Sequence, residues 1–351
     1  MASGRTDVLI RGAGTTAAVP QPGLVRGSVS VPTPTILVTN GARFPGDPGT
    51  KVYHGLNDTS TATYNAVQTA VGRNFKLRKT YNGSNWGLNT TEVDEDIAAG
   101  RTISVTSWKL GPYSLTSVPD SAIDDVIAKV QARAPHIFWT CGPFHEPEND
   151  FTTRAEADDY RALQRRIVLR FRAAGVTNVA WVSPFFMCPF TFTAGSGRDW
   201  RWWHPDWNGG TTNTSADFYT GANSVIDLEG FDIYVPLIGS TNWQSVSTDI
   251  SIAKTKMNSN GYTLKPILIG ELGVKSETAP APVGIGSSGD PNKGPSKMQD
   301  AWDTAKAQNW VGICWWNTGG DSFLHGPVPA NDPGGFREAK LTTIVADPRS
   351  G

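Results

Sequence analysis

Long apolar runs, paired cysteines and an excess of one charge are all missing from this sequence, and each absence removes a class of function. No run of eighteen apolar residues occurs, so membrane insertion by a helix is not expected. Lys and Arg number 31 against 32 Asp and Glu, for a formal net charge of −1. The two signs are interspersed, which leaves no basic stripe for phosphates and argues against nucleic acid as a partner. The 3 cysteines, Cys141, Cys188 and Cys314, lie in or beside apolar, strand-like segments. Buried free thiols are expected there rather than a disulfide framework. No CxxC or HExxH spacing is present, so no metal site is indicated and no cofactor is called for. The first residues, Met1 to Asp7, lack the apolar core of a secretory leader; the expectation is a chain not exported by that route, or one that has lost its leader.

What is present is enough apolar material, 38% of 351 residues, for one large α/β domain and an appendage. Residues 1–48 form the appendage. Short β-branched runs (Val8 to Ile10, Val29 to Val31, Ile36 to Val38) alternate there with Gly, Pro and Thr, as in a β-rich or extended arm. From residue 49 to 351 a different rhythm holds. Strands are expected near Val52–Gly55, Phe75–Thr80, Thr102–Trp108, Ile137–Cys141, Val179–Ser183, Gly230–Tyr234, Pro266–Gly270 and Val311–Trp316, most of them followed by helical periodicity. Thr153-x-x-Glu156 is a capping box opening a helix that stops at Gly175. Val126, Ile127 and Val130 mark one face of another helix, and Met298, Trp302 and Ala305 mark a third. Eight strand–helix alternations in about 250–300 residues are what a (β/α)8 TIM barrel requires. A doubly wound open sheet would place a Gly-rich phosphate loop after its first strand, and His54-Gly-Leu-Asn57 is not one.

Barrel chemistry sits at the carboxyl ends of the strands. The fourth strand runs into Cys141-Gly-Pro-Phe-His145-Glu146-Pro-Glu-Asn149, and the seventh into Lys265-Pro-Ile-Leu-Ile-Gly-Glu271. Strands four and seven lie on opposite sides of an eight-stranded ring. Two glutamates at their ends therefore face each other across the mouth, as cleavage of a glycosidic bond requires. Glu148 is expected to turn into the loop and Asp232 to pair structurally.

These segments, with Trp181-Val-Ser-Pro184 after strand five, Gly230-Phe-Asp-Ile-Tyr234 on strand six and Trp203-His-Pro-Asp-Trp207 beyond strand five, resemble glycoside hydrolase family 26, the β-mannanase type of the retaining barrel glycosidases. The resemblance implies Glu146 as general acid/base, Glu271 as nucleophile, His145 orienting the acid and Tyr234 holding an oxygen of the nucleophile. It also implies Trp315 or Trp316 as the floor of a sugar subsite, and it makes Trp181 a candidate contact. Asn149, in a Pro-Glu-Asn stretch that departs from the family's usual residues, is a further candidate contact to substrate.

Trp200 to Trp207 holds four of the chain's 13 Trp in a polar loop. Trp203 and Trp207 there form either a sugar platform or a cation–π stack with Arg198 and Arg201 that folds the loop. The Pro/Gly/Ser-rich stretch Ser276 to Ser296 rises over the same face as a lid, a specificity loop or a plain insertion. The expected function is a retaining, endo-acting glycosidase acting on a polysaccharide, attached to a virion tail or surface assembly through its arm. The rival is an inactive barrel that binds glycans.

Overall fold

A computed structural model of the chain describes residues 42–58, 60–81, 87–108, 113–188, 190–192, 199–235, 244–274, 293–317 and 336–351. The β-branched runs expected before residue 42, and nearly all of the Ser276–Ser296 stretch, lie outside the described residues.

Among the described residues there are nine strands: β1 (Tyr53–Asn57), β2 (Leu77–Tyr81), β3 (Ile103–Ser107), β4 (Ile137–Thr140), β5 (Val179–Trp181), β6 (Phe186–Cys188), β7 (Glu229–Val235), β8 (Ile267–Val274) and β9 (Gly312–Trp316). All pair in parallel, and β1 joins β2 on one side and β9 on the other. Ring closure comes from the residue after β5, where Val182 bridges to Leu228 and Ser183 N donates to Leu228 O at 2.8 Å. β6 then resumes pairing with β7. The expected eight-stranded (β/α)8 barrel is therefore what forms, with its fifth strand in two pieces.

The interruption has a local cause. Pro184 has no N–H to give a ladder, and Phe185 turns its ring into the barrel. Gly230 and Gly270 make that room: a Cβ on either would stand 2.6 or 2.5 Å from the Phe185 ring. Phe185 joins Leu77, Val105, Trp139, Leu268 and Cys314 as the interior packing of the barrel. The opposite strand faces pack on the helices, because successive side chains alternate across a sheet.

The helices are α1 (Thr61–Val71), α2 (Thr90–Ala98), α3 (Asp120–Gln131), α4 (Arg154–Ala173), α5 (Val246–Ser259), α6 (Lys293–Gln308) and α7 (Phe336–Val345), besides a single turn at Pro147–Asp150. The capping box of α4 is formed as expected, and Val126, Ile127 and Val130 of α3 are buried. Met298, Trp302 and Ala305 of α6 are buried too. Among the described residues no α-helix lies between β6 and β7. Residues 199–228 run instead through short 3-10 turns, held by an antiparallel bridge between Trp207 and Phe218. No described helix is long and apolar enough to cross a membrane.

Residues 42–48, the end of the segment expected to be an arm, lie against the amino-terminal mouth of the ring. Phe44 is buried edge-on to Trp139, whose indole N–H donates to Pro45 O at 2.9 Å. The chain's end is laced to its first strand: Val52 N donates to Arg349 O, and Gly351 N to Val52 O. All three cysteines are buried free thiols.

Candidate active site

The loop after β4 turns sharply enough to aim a side chain back over the barrel. Gly142 has φ +75°, and Glu146 itself has φ 44°, ψ 49°. A left-handed conformation costs a non-glycine residue of order 1 kcal/mol or more, and such strain collects at functional sites. Three contacts hold it there. Glu146 N donates to Phe185 O at 3.2 Å, Asn149 N donates to Glu146 O at 3.0 Å, and Asn149 Nδ2 donates to Glu146 Oε2 at 2.9 Å. Glu148, fully buried, accepts from Met187 N and Thr191 Oγ1, each at 2.8 Å, and so staples the turn to β6. It is turned into the loop, as expected.

Glu146 Oε1 is buried without a hydrogen-bond partner among the described residues. Burial first, then the charges of Asp232 and Glu148, pushes the Glu146 carboxyl up to about 8. The protonated acid is thus the favoured form at neutral pH.

Glu271 comes from the middle of β8. Ladder irregularities between Phe231 and Asp232 on β7 and between Ile269 and Leu272 on β8 set Glu271 beside Asp232. Its Oε1 accepts from Lys79 Nζ at 2.8 Å and from the Tyr81 hydroxyl, and its Oε2 accepts from the Tyr234 hydroxyl. Burial raises its carboxyl from the ordinary value, against the opposing pull of Lys79. Burial holds the Tyr234 phenol well above its ordinary value, so its O–H remains a donor. Asp232, also fully buried, takes the same Lys79 at 3.1 Å, and its carboxyl is raised to about 7, chiefly by burial.

Oxygens of Glu146, Asp232 and Glu271 lie within 4.8 Å of one another. Such a trio has the donor chemistry of a divalent cation site. Here the Lys79 ammonium already contacts two of the three. His145 Nδ1 lies 3.3 Å from Ser107 Oγ, and its ring packs 5.0 Å from that of Tyr81. Trp316, half-buried, meets Tyr234 edge-on at 5.5 Å.

The structure thus gathers Glu146, Glu271, His145, Tyr234, Asn149 and Trp316. Four expected sugar contacts belong elsewhere. Trp315 points outward from β9, fully buried, with its N–H on His54 Nδ1 at 3.2 Å. Trp181 is buried edge-on to Trp108 and Phe171. Trp203 is buried against Phe151 and Tyr160. Trp207, 4% exposed, lies under the guanidinium groups of Arg154 at 4.2 Å, Arg161 at 4.8 Å and Arg201 at 5.7 Å. Trp207 thus stands in a cation–π stack built mainly by α4, with Arg201 of the expected pair beside it; Arg198 lies outside the described residues. None of these four offers a ring face to a ligand. Lys79, Tyr81 and Asn57, whose amide donates to the Tyr81 hydroxyl, were not among the expected site residues. Their only sequence signal is the two-residue spacing of Lys79 and Tyr81, which puts both on one face of β2.

No protein-family model matches the sequence, and no curated protein matches it. Solved structures do. A double mutant of the Cellulomonas fimi endo-beta-1,4-mannanase aligns over 86% of this chain and 72% of its own, at 14% identity and a TM-score of 0.50. The GH26 domain of a Prevotella bryantii endo-beta-mannanase/endo-beta-glucanase aligns over 86% and 90%, at 14% identity and a TM-score of 0.47. A GH128 endo-beta-1,3-glucanase from Amycolatopsis mediterranei, in complex with laminaripentaose, aligns over 85% and 100%, at 13% identity and a TM-score of 0.45. The chain shares the barrel fold with the first of these.

Proposed function

We propose that this chain is a retaining glycoside hydrolase of family 26 type that cleaves the backbone of a polysaccharide internally. The observation that carries the reading is the pairing of two unlike carboxyl groups across one cleft: Glu146, protonated with a free oxygen, and Glu271, gripped by Lys79, Tyr81 and Tyr234. A buried carboxyl with an unpartnered oxygen suits the acid, and one held by an ammonium and two hydroxyls suits the nucleophile. One oxygen of each lies within 4.8 Å of an oxygen of the other. That favours double displacement over inversion, for which the carboxyl groups stand about 6.5–9.5 Å apart.

In the first step Glu271 attacks the anomeric carbon as the bond to the leaving oxygen breaks, and Glu146 gives its proton to that oxygen. Glu146, now a carboxylate, takes a proton from water, whose oxygen displaces Glu271 with net retention. The Tyr234 hydroxyl orients the nucleophile. His145, between Ser107 and Tyr81, lines the cleft next to the acid. Trp316 supplies the floor of the subsite. Attachment to a virion tail or surface assembly through residues 1–48 belongs to the same proposal and rests on the composition of that segment.

The test is turnover by purified protein on mannans, β-glucans and actinobacterial wall arabinans and galactans, with the anomer of the first product read by proton NMR. Cleavage with retention is expected. Inverted product removes the assignment of Glu271. Binding without turnover across the panel would favour the inactive, glycan-binding barrel.

A further inference from the structure

An enclosed lysine is costly unless charges are built around it. Lys79 lies in the middle of β2, and its side chain is fully buried. It spans the barrel to β7 and β8, where Nζ donates to Glu271 Oε1 at 2.8 Å and to the Asp232 oxygens at 3.1 and 3.2 Å. Underneath, Nζ sits 4.2 Å from the centre of the Phe185 ring. The other titratable groups around it are Tyr81 on β2, Tyr234 on β7, and the thiols Cys141 after β4 and Cys314 on β9. Burial pushes both thiols far up, so they stay neutral. From the loop after β4, Glu146 also feels its charge.

The two oxygens of Glu271 are therefore not equivalent. Oε1 takes Lys79 and Tyr81, whereas Oε2 takes Tyr234, with Asn57 a further hydrogen-bond partner of the carboxylate. We propose that Lys79 is the positioning residue of the nucleophile: its ammonium, held between Asp232 and Glu271, pins Oε1 and keeps Glu271 an anion, leaving Oε2 as the attacking atom. This rests on the role proposed above for Glu271. Asp232 sets the strength of the effect, because one cation serves two carboxyl groups. Removing Lys79 would leave two carboxyl groups, with oxygens within 4.8 Å of each other, that resist ionising together. Removing the Asp232 charge would give the cation wholly to Glu271.

The experiment is a carboxyl titration that needs no substrate. The full chain, labelled with 13C at the glutamate carboxyl, is followed by NMR across pH, with the Glu271 signal assigned by Glu271→Gln. In Lys79→Met the Glu271 midpoint is expected to rise by roughly one to three pH units. In Lys79→Met with Asp232→Asn it returns most of the way, and in Asp232→Asn alone it falls below the wild type. An unchanged midpoint in Lys79→Met overturns the proposal. Should that variant fail to fold, an unchanged midpoint in Asp232→Asn overturns it equally. On any polysaccharide that is turned over, the acidic limb of kcat/KM must move with the same midpoint; activity lost at every pH in proportion to lost fold would mean a structural role only. Absence of turnover on every polysaccharide would remove the glycosidase reading, while the titration still decides what Lys79 does to Glu271.

Discussion

Replacing Glu146 with Ala should separate substrates by their leaving groups. With its carboxyl at about 8 against an ordinary 4.5, roughly nine in ten Glu146 side chains hold their proton at pH 7, where an unperturbed carboxyl would hold it in roughly one of three hundred. That difference is the share of the general acid that the structure creates by burying Glu146 and facing it with Asp232 and Glu148. General acid catalysis contributes about 10²–10⁴-fold, so kcat on a natural polysaccharide should fall by that order. An aryl glycoside of the same sugar, with a phenolate that leaves unprotonated, should keep its first step, and glycosyl-enzyme should accumulate. The alkaline limb of the pH profile should vanish with the residue. In the wild type that limb falls as pH rises through about 8, because the acid must carry its proton. The acidic limb falls as pH drops through the midpoint of Glu271, which is raised from the ordinary value. Burst kinetics on the aryl substrate and steady-state rates on the polysaccharide are the assay, with azide as a nucleophile that needs no base. Equal losses on both substrates, or an alkaline limb that survives the substitution, would refute the assignment.

Glu271→Ala should abolish turnover of every substrate, and azide should then yield product of inverted configuration, readable by NMR. Trp207→Ala should cost about 3–5 kcal/mol, the usual range for emptying a buried aromatic site, seen as a lower Tm with KM little changed in the folded fraction. Trp316→Ala should do the reverse, raising KM at constant Tm, since this ring lies at the cleft beside Tyr234. Deleting residues 1–41 should leave Tm and turnover of soluble oligosaccharide unchanged; extending the cut through Gly46 should lower Tm by uncovering Trp139.

The barrel and its two glutamates were legible because they depend on local pattern. Parallel strands buried on both faces read as short β-branched runs, α3 declares its apolar face and α4 its capping box, and a Glu following an apolar strand-like run stands out where apolar residues are the rule. Alternation also required that Trp315 and Trp316 face opposite ways. Which of them faces the cleft is decided by β9, where Cys314 points inside and Trp315 packs on His54.

What tertiary structure alone decided concerns groups whose meaning comes from distant partners. Lys79 in a strand is indistinguishable in sequence from a lysine facing water; its burial is tolerable only because Asp232 and Glu271, 153 and 192 residues away, meet it inside the ring. The Trp-rich loop announces aromatic surface without saying which side takes it, and the arginines of α4 took it for packing. The break in the fifth strand likewise needed Gly230 and Gly270, on two other strands, to admit Phe185. Sequence alone determines propensity, periodicity and which residues stand at strand ends. Charge state and access depend on burial and on neighbours across the barrel, and these exist only once the ring has closed.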